Sequence, residues 1–145
     1  MRKIVVIHGP NLNMLEKRRP EIYGNLTLTQ INKEIEDFAE KNNIEVDIIQ
    51  SNKQGEIIDA IQNAGNCAGI VINPAGYTHT SVAIRDAIEA IDVPAIEVHI
   101  SNIYAREEFR HKSVIAPVCT GQITGLGWSG YILAIESLIK MSEKK

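Results

Sequence analysis

The chain has 145 residues, a length that suits a single domain over residues 1–145 and argues against a two-domain cleft enzyme. Its composition, 44% hydrophobic and 23% charged, is that of an ordinary globular protein and excludes a disordered or fibrous chain. Fifteen Lys and Arg against eighteen Asp and Glu leave a formal charge of −3 with no polybasic arm, the opposite of the balance a nucleic-acid partner requires. Cys67 and Cys119 form no C-x-x-C pair, so neither a disulfide framework nor a zinc site is expected and a reducing, cytoplasmic location fits.

Taken in chain order, Ile4-Val5-Val6-Ile7 is too short for a signal-peptide core or a membrane span and reads as a buried strand, Lys3 to His8. Gly9 to Asn25 follows with weak periodicity, about seventeen residues where strand-to-helix loops commonly take about 2 to 6. Long loops of this kind are often lids. Thr27-x-x-Gln30 is a capping box, and Leu28, Ile31, Ile35 and Phe38 recur behind it at helical spacing. A strand over Glu45 to Gln50 precedes a helix marked by Ile57, Ile58, Ile61 and Ala64. The strand Ala68 to Asn73 leads to a helix capped by Thr80 or Ser81, with Val82, Ile84, Ala87, Ile88 and Ile91 on its apolar stripe. Pro94 to His99 reads as the fourth strand, Arg106 to Lys112 as a short, charged, solvated helix, Val114 to Val118 as the fifth strand, and about Trp128 to Met141 as the last helix.

Continuously apolar strands need cover on both faces. The alternation therefore predicts an α/β fold: a doubly wound parallel five-stranded sheet inside a three-layer αβα sandwich, with right-handed crossovers. Ligands of open parallel sheets bind beyond the carboxyl ends of the strands. The residues expected there are His8 to Asn11, Gln50 to Asn52, Asn73-Pro74, His99 to Ser101 and Cys119 to Gly121, a rim suited to a polyhydroxylated small molecule.

Three constellations on that rim carry chemistry. The long loop concentrates Asn11, Asn13, Lys17, Arg18, Arg19 and Tyr23 in an otherwise acidic chain. A solvated basic turn is the plain alternative, but a phenol becomes a usable base where a cation favours phenolate, and Arg18 or Arg19 can supply that field. Glu97 and His99 are two apart on a strand, so both side chains point to one face. A carboxylate beside an imidazole fixes its tautomer and favours the protonated ring, a competent acid near neutrality. A buried histidine satisfied by its neighbour is the alternative, weakened by the position at a strand's carboxyl end. Thr78-His79-Thr80-Ser81 sits at a strand-to-helix junction, where helix capping accounts for the hydroxyls but not for His79.

Other signals fall away. Gly125 to Gly130 satisfies G-x-G-x-x-G but lacks the strand and acidic residue that must follow it. A receiver domain needs an aspartate where Asn73 stands, and Pro10 interrupts the phosphate cradle a flavin carrier would place after its first strand. No lysine lies inside an apolar strand, where desolvation would prepare it for a Schiff base.

The motifs G-P-N-L-N-M-L with R-x-P-E-I-Y-G (Gly9 to Leu15, Arg18 to Gly24), N-P-A-G-Y-T-H-T-S-V-A-I-R-D (Asn73 to Asp86) and E-V-H-I-S-N-I-Y-A-R-E-E-F-R-H-K-S (Glu97 to Ser113) resemble those of the type II 3-dehydroquinate dehydratases over essentially the whole chain. The resemblance implies a flavodoxin-like fold and the dehydration of 3-dehydroquinate to 3-dehydroshikimate in the shikimate pathway, without metal or cofactor. It implies Tyr23 as the base, Arg18 as the arginine that holds it as phenolate, and Asn11 as a partner of the enolate through an ordered water. It implies His99, oriented by Glu97, as the acid, Ile100 and Ser101 as the carboxylate-binding pair, and Asn73, His79 and Arg110 as contacts to the ring hydroxyls. Asp86 matches a residue that reaches the site from an adjacent subunit in the family's homododecamers, which are tetramers of trimers. The family's lid commonly reads L-G-x-R-E-P; here Glu16 replaces the glycine and Arg19 the glutamate, so altered lid closure or substrate affinity is expected, with the mechanism kept.

Overall fold

A computed structural model describes residues 2–143. Five strands, β1 (Arg2–His8), β2 (Ile44–Gln50), β3 (Gly69–Asn73), β4 (Ala95–His99) and β5 (Gly121–Thr124), form one sheet in the order β2-β1-β3-β4-β5, and every neighbouring pair is parallel. The helices are α1 (Pro20–Tyr23), α2 (Leu28–Lys41), α3 (Gln54–Gln62), α4 (Val82–Ala90) and α5 (Ser129–Glu143). The expected doubly wound, flavodoxin-like three-layer sandwich is the fold. Among the described residues no helix is long and apolar enough to cross a membrane.

The period of two along β1 explains the layers. Ile4 and Val6 pack with Ile31, Ile35, Ala134 and Leu138 of α2 and α5, while Val5 and Ile7 pack on the other face with Ile57, Ile61, Ile84 and Ile88 of α3 and α4. Burying one such side chain contributes about 1.5–3 kcal/mol, so both faces of this isoleucine-rich sheet add to its stability. Helix ends are set locally. Thr27 accepts from the Gln30 amide at 3.2 Å and the Gln30 side chain caps the Thr27 amide at 2.8 Å, as the capping box predicts. Ser81, rather than Thr80, caps α4.

The expected fifth strand is a correction. Val114 to Val118 is not a strand: Ala116–Val118 makes a 3₁₀ turn that begins against Pro117, whose ring removes the amide a ladder needs. The true β5 starts at Gly121, so Cys119 to Gly121 lie at the amino end of the sheet, where the Thr120 amide donates to the Ala95 carbonyl at 2.7 Å. They do not belong to the ligand rim. Arg106 to Lys112 is likewise no helix but a loop with short 3₁₀ turns at Ile103–Ala105 and Glu108–Arg110.

Registers align the working ends of the strands. His8 pairs with Gln50 on one side and Asn73 on the other, and His99 pairs with Thr124. The chain adds β2 on one side of β1 and β3 to β5 on the other, and this reversal of winding between β1 and β3 opens a crevice at their carboxyl ends. There the backbones nearly touch: the Gly9 amide donates to the Asn73 carbonyl at 2.7 Å, and a Cβ at Gly9 would stand 2.6 Å from the Pro74 carbonyl oxygen. Only glycine fits that crossing.

Candidate active site

A cavity opens at this end of the sheet, lined by Leu12, Arg18, Tyr23, Asn73, Ala75, Gly76, His79, His99, Ile100, Ser101, Ile103, Arg106 and Arg110. The loop between β1 and α2 folds over it as a 3₁₀ turn, Leu12–Lys17, followed by α1. Leu12 and Leu15 anchor the turn in the core, leaving its polar side chains outside. Pro20 at the start of α1 pre-sets the helical φ, and Gly24, at φ 81°, turns the chain away directly after Tyr23.

Tyr23 receives two cations. The Arg18 guanidinium donates to its hydroxyl oxygen and lies 3.8 Å from the ring centroid. Arg106 Nη1 donates to the same oxygen at 2.6 Å and reaches Ser101 Oγ at 3.4 Å. Burial, followed by the proximity of Arg106 and Arg110, lowers the Arg18 guanidinium from its ordinary value, with Tyr23 acting in the opposite sense. Arg19, the other expected source of that field, instead pairs with Glu21 at 2.8 Å in solvent.

On the opposite wall, β4 delivers His99 and Glu97 as the strand period requires, both buried. His99 Nε2 hydrogen-bonds to Glu97 Oε2, which leaves Nδ1 as the ring nitrogen available to a ligand. Burial pushes the Glu97 carboxyl up. The hydrogen bond and charge of His99 and the hydroxyls of Thr78 and Ser113 outweigh burial and hold it below the ordinary carboxylate value. Thr78 Oγ1 donates to Oε2, and Ser113 Oγ lies 3.0 Å from Oε1. This clamp ties the strand to the junction before α4 and to the loop before β5.

The remaining expected residues divide. Asn73, His79, Ile100, Ser101 and Arg110 line the cavity. His79 Nδ1 is fixed at 2.8 Å from the Lys112 carbonyl, and Arg110 is steadied by Glu107 at 3.0 Å. Asn11 is exposed and does not line it; its backbone sits at φ 71°, a region asparagine tolerates better than most residues, and its amide donates to Asn52 Oδ1 at 3.0 Å. Asp86 lies exposed on α4 beside Arg85 at 3.5 Å, away from this chain's cavity. His8, expected at the rim, is instead fully buried beneath it. Glu16 has no positive φ, so the lid turn does not require the family's glycine there. Arg106 is the residue that sequence reasoning missed: inside a run of charges it reads as solvated, yet its side chain is only 15% exposed. Its position five residues after Ser101 on a rim-forming strand end was the one signal that pointed to it.

Known proteins resemble this chain over nearly its whole length. A sequence model of the family described as Dehydroquinase class II matches residues 2–139. A 3-dehydroquinate dehydratase of Halothermothrix orenii is 57% identical over 145 residues, covering 99% of this chain and 98% of the relative, and one of a Sulfurovum species is 58% identical over 140 residues, covering 96% and 86%. A crystal structure of a type II dehydroquinase from Butyrivibrio crossotus superposes with a TM-score of 0.93 at 52% identity, covering 95% of this chain and 97% of that one. With the family matched over nearly the whole chain, the chain belongs to the class II dehydroquinases.

Proposed function

We propose that this chain, a single dehydroquinase domain, dehydrates 3-dehydroquinate to 3-dehydroshikimate by anti elimination through an enolate, as a cytoplasmic enzyme of the shikimate pathway. The observation that carries the mechanism is the pairing of walls in one cavity: a phenol oxygen receiving two guanidinium donors faces a site whose other side holds a carboxylate-oriented imidazole. Tyr23, its oxygen held between the Arg18 and Arg106 guanidinium groups, is the base that takes a proton from the carbon next to the ketone. The electron pair left behind forms the enolate. Asn11, through an ordered water, and preorganised donors at the loop bear the developing oxyanion charge.

His99, carrying its second proton on Nδ1, then gives that proton to the departing tertiary hydroxyl, which leaves as water while the enolate collapses to the conjugated enone. Glu97 orients the ring. Ile100 and Ser101 hold the substrate carboxylate, and Asn73, His79 and Arg110 hold the ring hydroxyls. Among the described residues no lysine lines the cavity, which supports a route without a Schiff base. Asp86, exposed on α4, completes the site of a neighbouring subunit in a homododecamer built as a tetramer of trimers.

The direct test mixes purified protein with 3-dehydroquinate and follows the ultraviolet absorbance of the enone. Its appearance supports the reading, and its absence at high enzyme concentration contradicts it. Mass in solution tests the shared site, and a fully active monomer contradicts it.

A further inference from the structure

Behind the cavity wall runs a buried polar chain of which the reaction above uses only the last member, Asn73. Asn32 of α2, His8 at the end of β1, Tyr131 of α5 and Asn73 at the end of β3 are joined by hydrogen bonds of 2.8 Å, 3.0 Å and 3.0 Å. His8 and Tyr131 are completely buried, and only Asn73 reaches the cavity. Burying two hydroxyl- and nitrogen-bearing rings in an isoleucine core is costly unless every polar atom is paired. Here every one is.

The Asn73 amide sets the direction of each hydrogen bond in the chain. The Ala75 amide donates to Asn73 Oδ1 at 3.0 Å, which fixes the amide orientation and makes Nδ2 the donor to the Tyr131 oxygen. The Tyr131 proton then has one acceptor among the described residues, Nδ1 of His8. Nδ1 is therefore bare, the ring proton sits on Nε2, and it donates to Asn32 Oδ1. Burial, partly opposed by the Asn32 hydrogen bond, pushes His8 down to about 4, so the ring is neutral at neutral pH, as this pattern requires. Asn73 keeps one N–H and one lone pair unspent for the cavity.

We propose that Tyr131, aligned by His8, is a positioning residue for the reaction: it locks the Asn73 amide so that its remaining donor and acceptor meet the ligand's hydroxyls in one fixed orientation. The inference rests on the reading of Asn73 as a ligand contact. It explains why two helices on the same face of the sheet send polar side chains to one strand end that is otherwise surrounded by apolar packing.

The test is a double-mutant cycle in steady-state kinetics. Tyr131→Phe keeps the ring volume and removes the acceptor, and it is expected to raise KM about tenfold with kcat changed far less, since the Asn73 contact is made in ground and transition states alike. In an Asn73→Ala background the same change is expected to add no further loss. Equal losses in both backgrounds, or a lowered thermal midpoint with unchanged KM, overturn the positioning role. Asn73→Ala with unaltered kinetics overturns the reading of Asn73 itself. A second arm does not depend on Tyr131→Phe folding: His8→Gln, which retains an acceptor, is expected to stay near the parent KM while His8→Leu follows Tyr131→Phe, and identical behaviour of the two His8 variants contradicts the relay.

Discussion

Arg106 Nη1 stands 2.6 Å from the hydroxyl oxygen of Tyr23, although 83 residues separate them in sequence. The lid therefore closes onto a cation supplied by the body of the protein, in addition to the one it carries in Arg18. Arg106→Ala is expected to lower kcat by about 10²–10³-fold, the cost of removing one preorganised donor at developing charge. KM should change much less, and Arg106→Lys should recover only part of the loss, since an ammonium lacks the planar fork. The enone absorbance assay reads both.

Thr78 is the second adjustable part. Its hydroxyl donates to Glu97 and helps hold that carboxyl below its ordinary value. Thr78→Val removes the donor, so the Glu97 carboxyl rises and its ionised fraction falls at mildly acidic pH. The acid limb of the pH–rate profile is then expected to move to higher pH, with about a tenfold loss of kcat near neutrality. An unmoved acid limb would show that Thr78 only packs.

His8 makes fold stability depend on pH. Its folded value is about 4 against 6.5 for the free side chain, so the unfolded chain binds the extra proton between those limits. Stability from this group is fully present above about 6.5 and is lost as pH falls toward 4, a change of roughly 3 kcal/mol. Below the ordinary carboxylate value, protonation of Glu97 adds a further loss with the same sign. Urea unfolding from pH 7 to 4 should show the decline, and His8→Gln should flatten its upper part.

The crossing of β1 and β3 admits no side chain at Gly9. Gly9→Ala forces the Pro74 carbonyl away and should destabilise the fold by about 1–3 kcal/mol. Because that carbonyl belongs to the turn carrying Ala75 and His79, kcat/KM should also fall at temperatures where the variant is still folded. Calorimetry and kinetics on one preparation separate the two effects.

How much of this was legible in the sequence depended on the range of the interactions involved. β1 and β3 carry continuous apolar runs, and in β4 the Glu97–His99 alternation fixes a shared face from two positions alone. Val114 to Val118 is the longer and more apolar run, whereas Gly121–Thr124 is only four residues, opens on glycine, and owes its place to pairing with β4. Arg106 reads as solvated because its chief side-chain partner, Tyr23, lies 83 residues away, and no local pattern records that contact. The His8–Tyr131 contact spans 123 residues. Nothing in either local sequence announces it.

The proposed reaction turns on Tyr23, held between Arg18 and Arg106, as the base. Turnover of 3-dehydroquinate by Tyr23→Phe, measured together with substrate binding to the same variant, tests it most directly. Loss of turnover by several orders of magnitude with binding kept within about tenfold is the predicted result. Turnover within tenfold of the parent would contradict it.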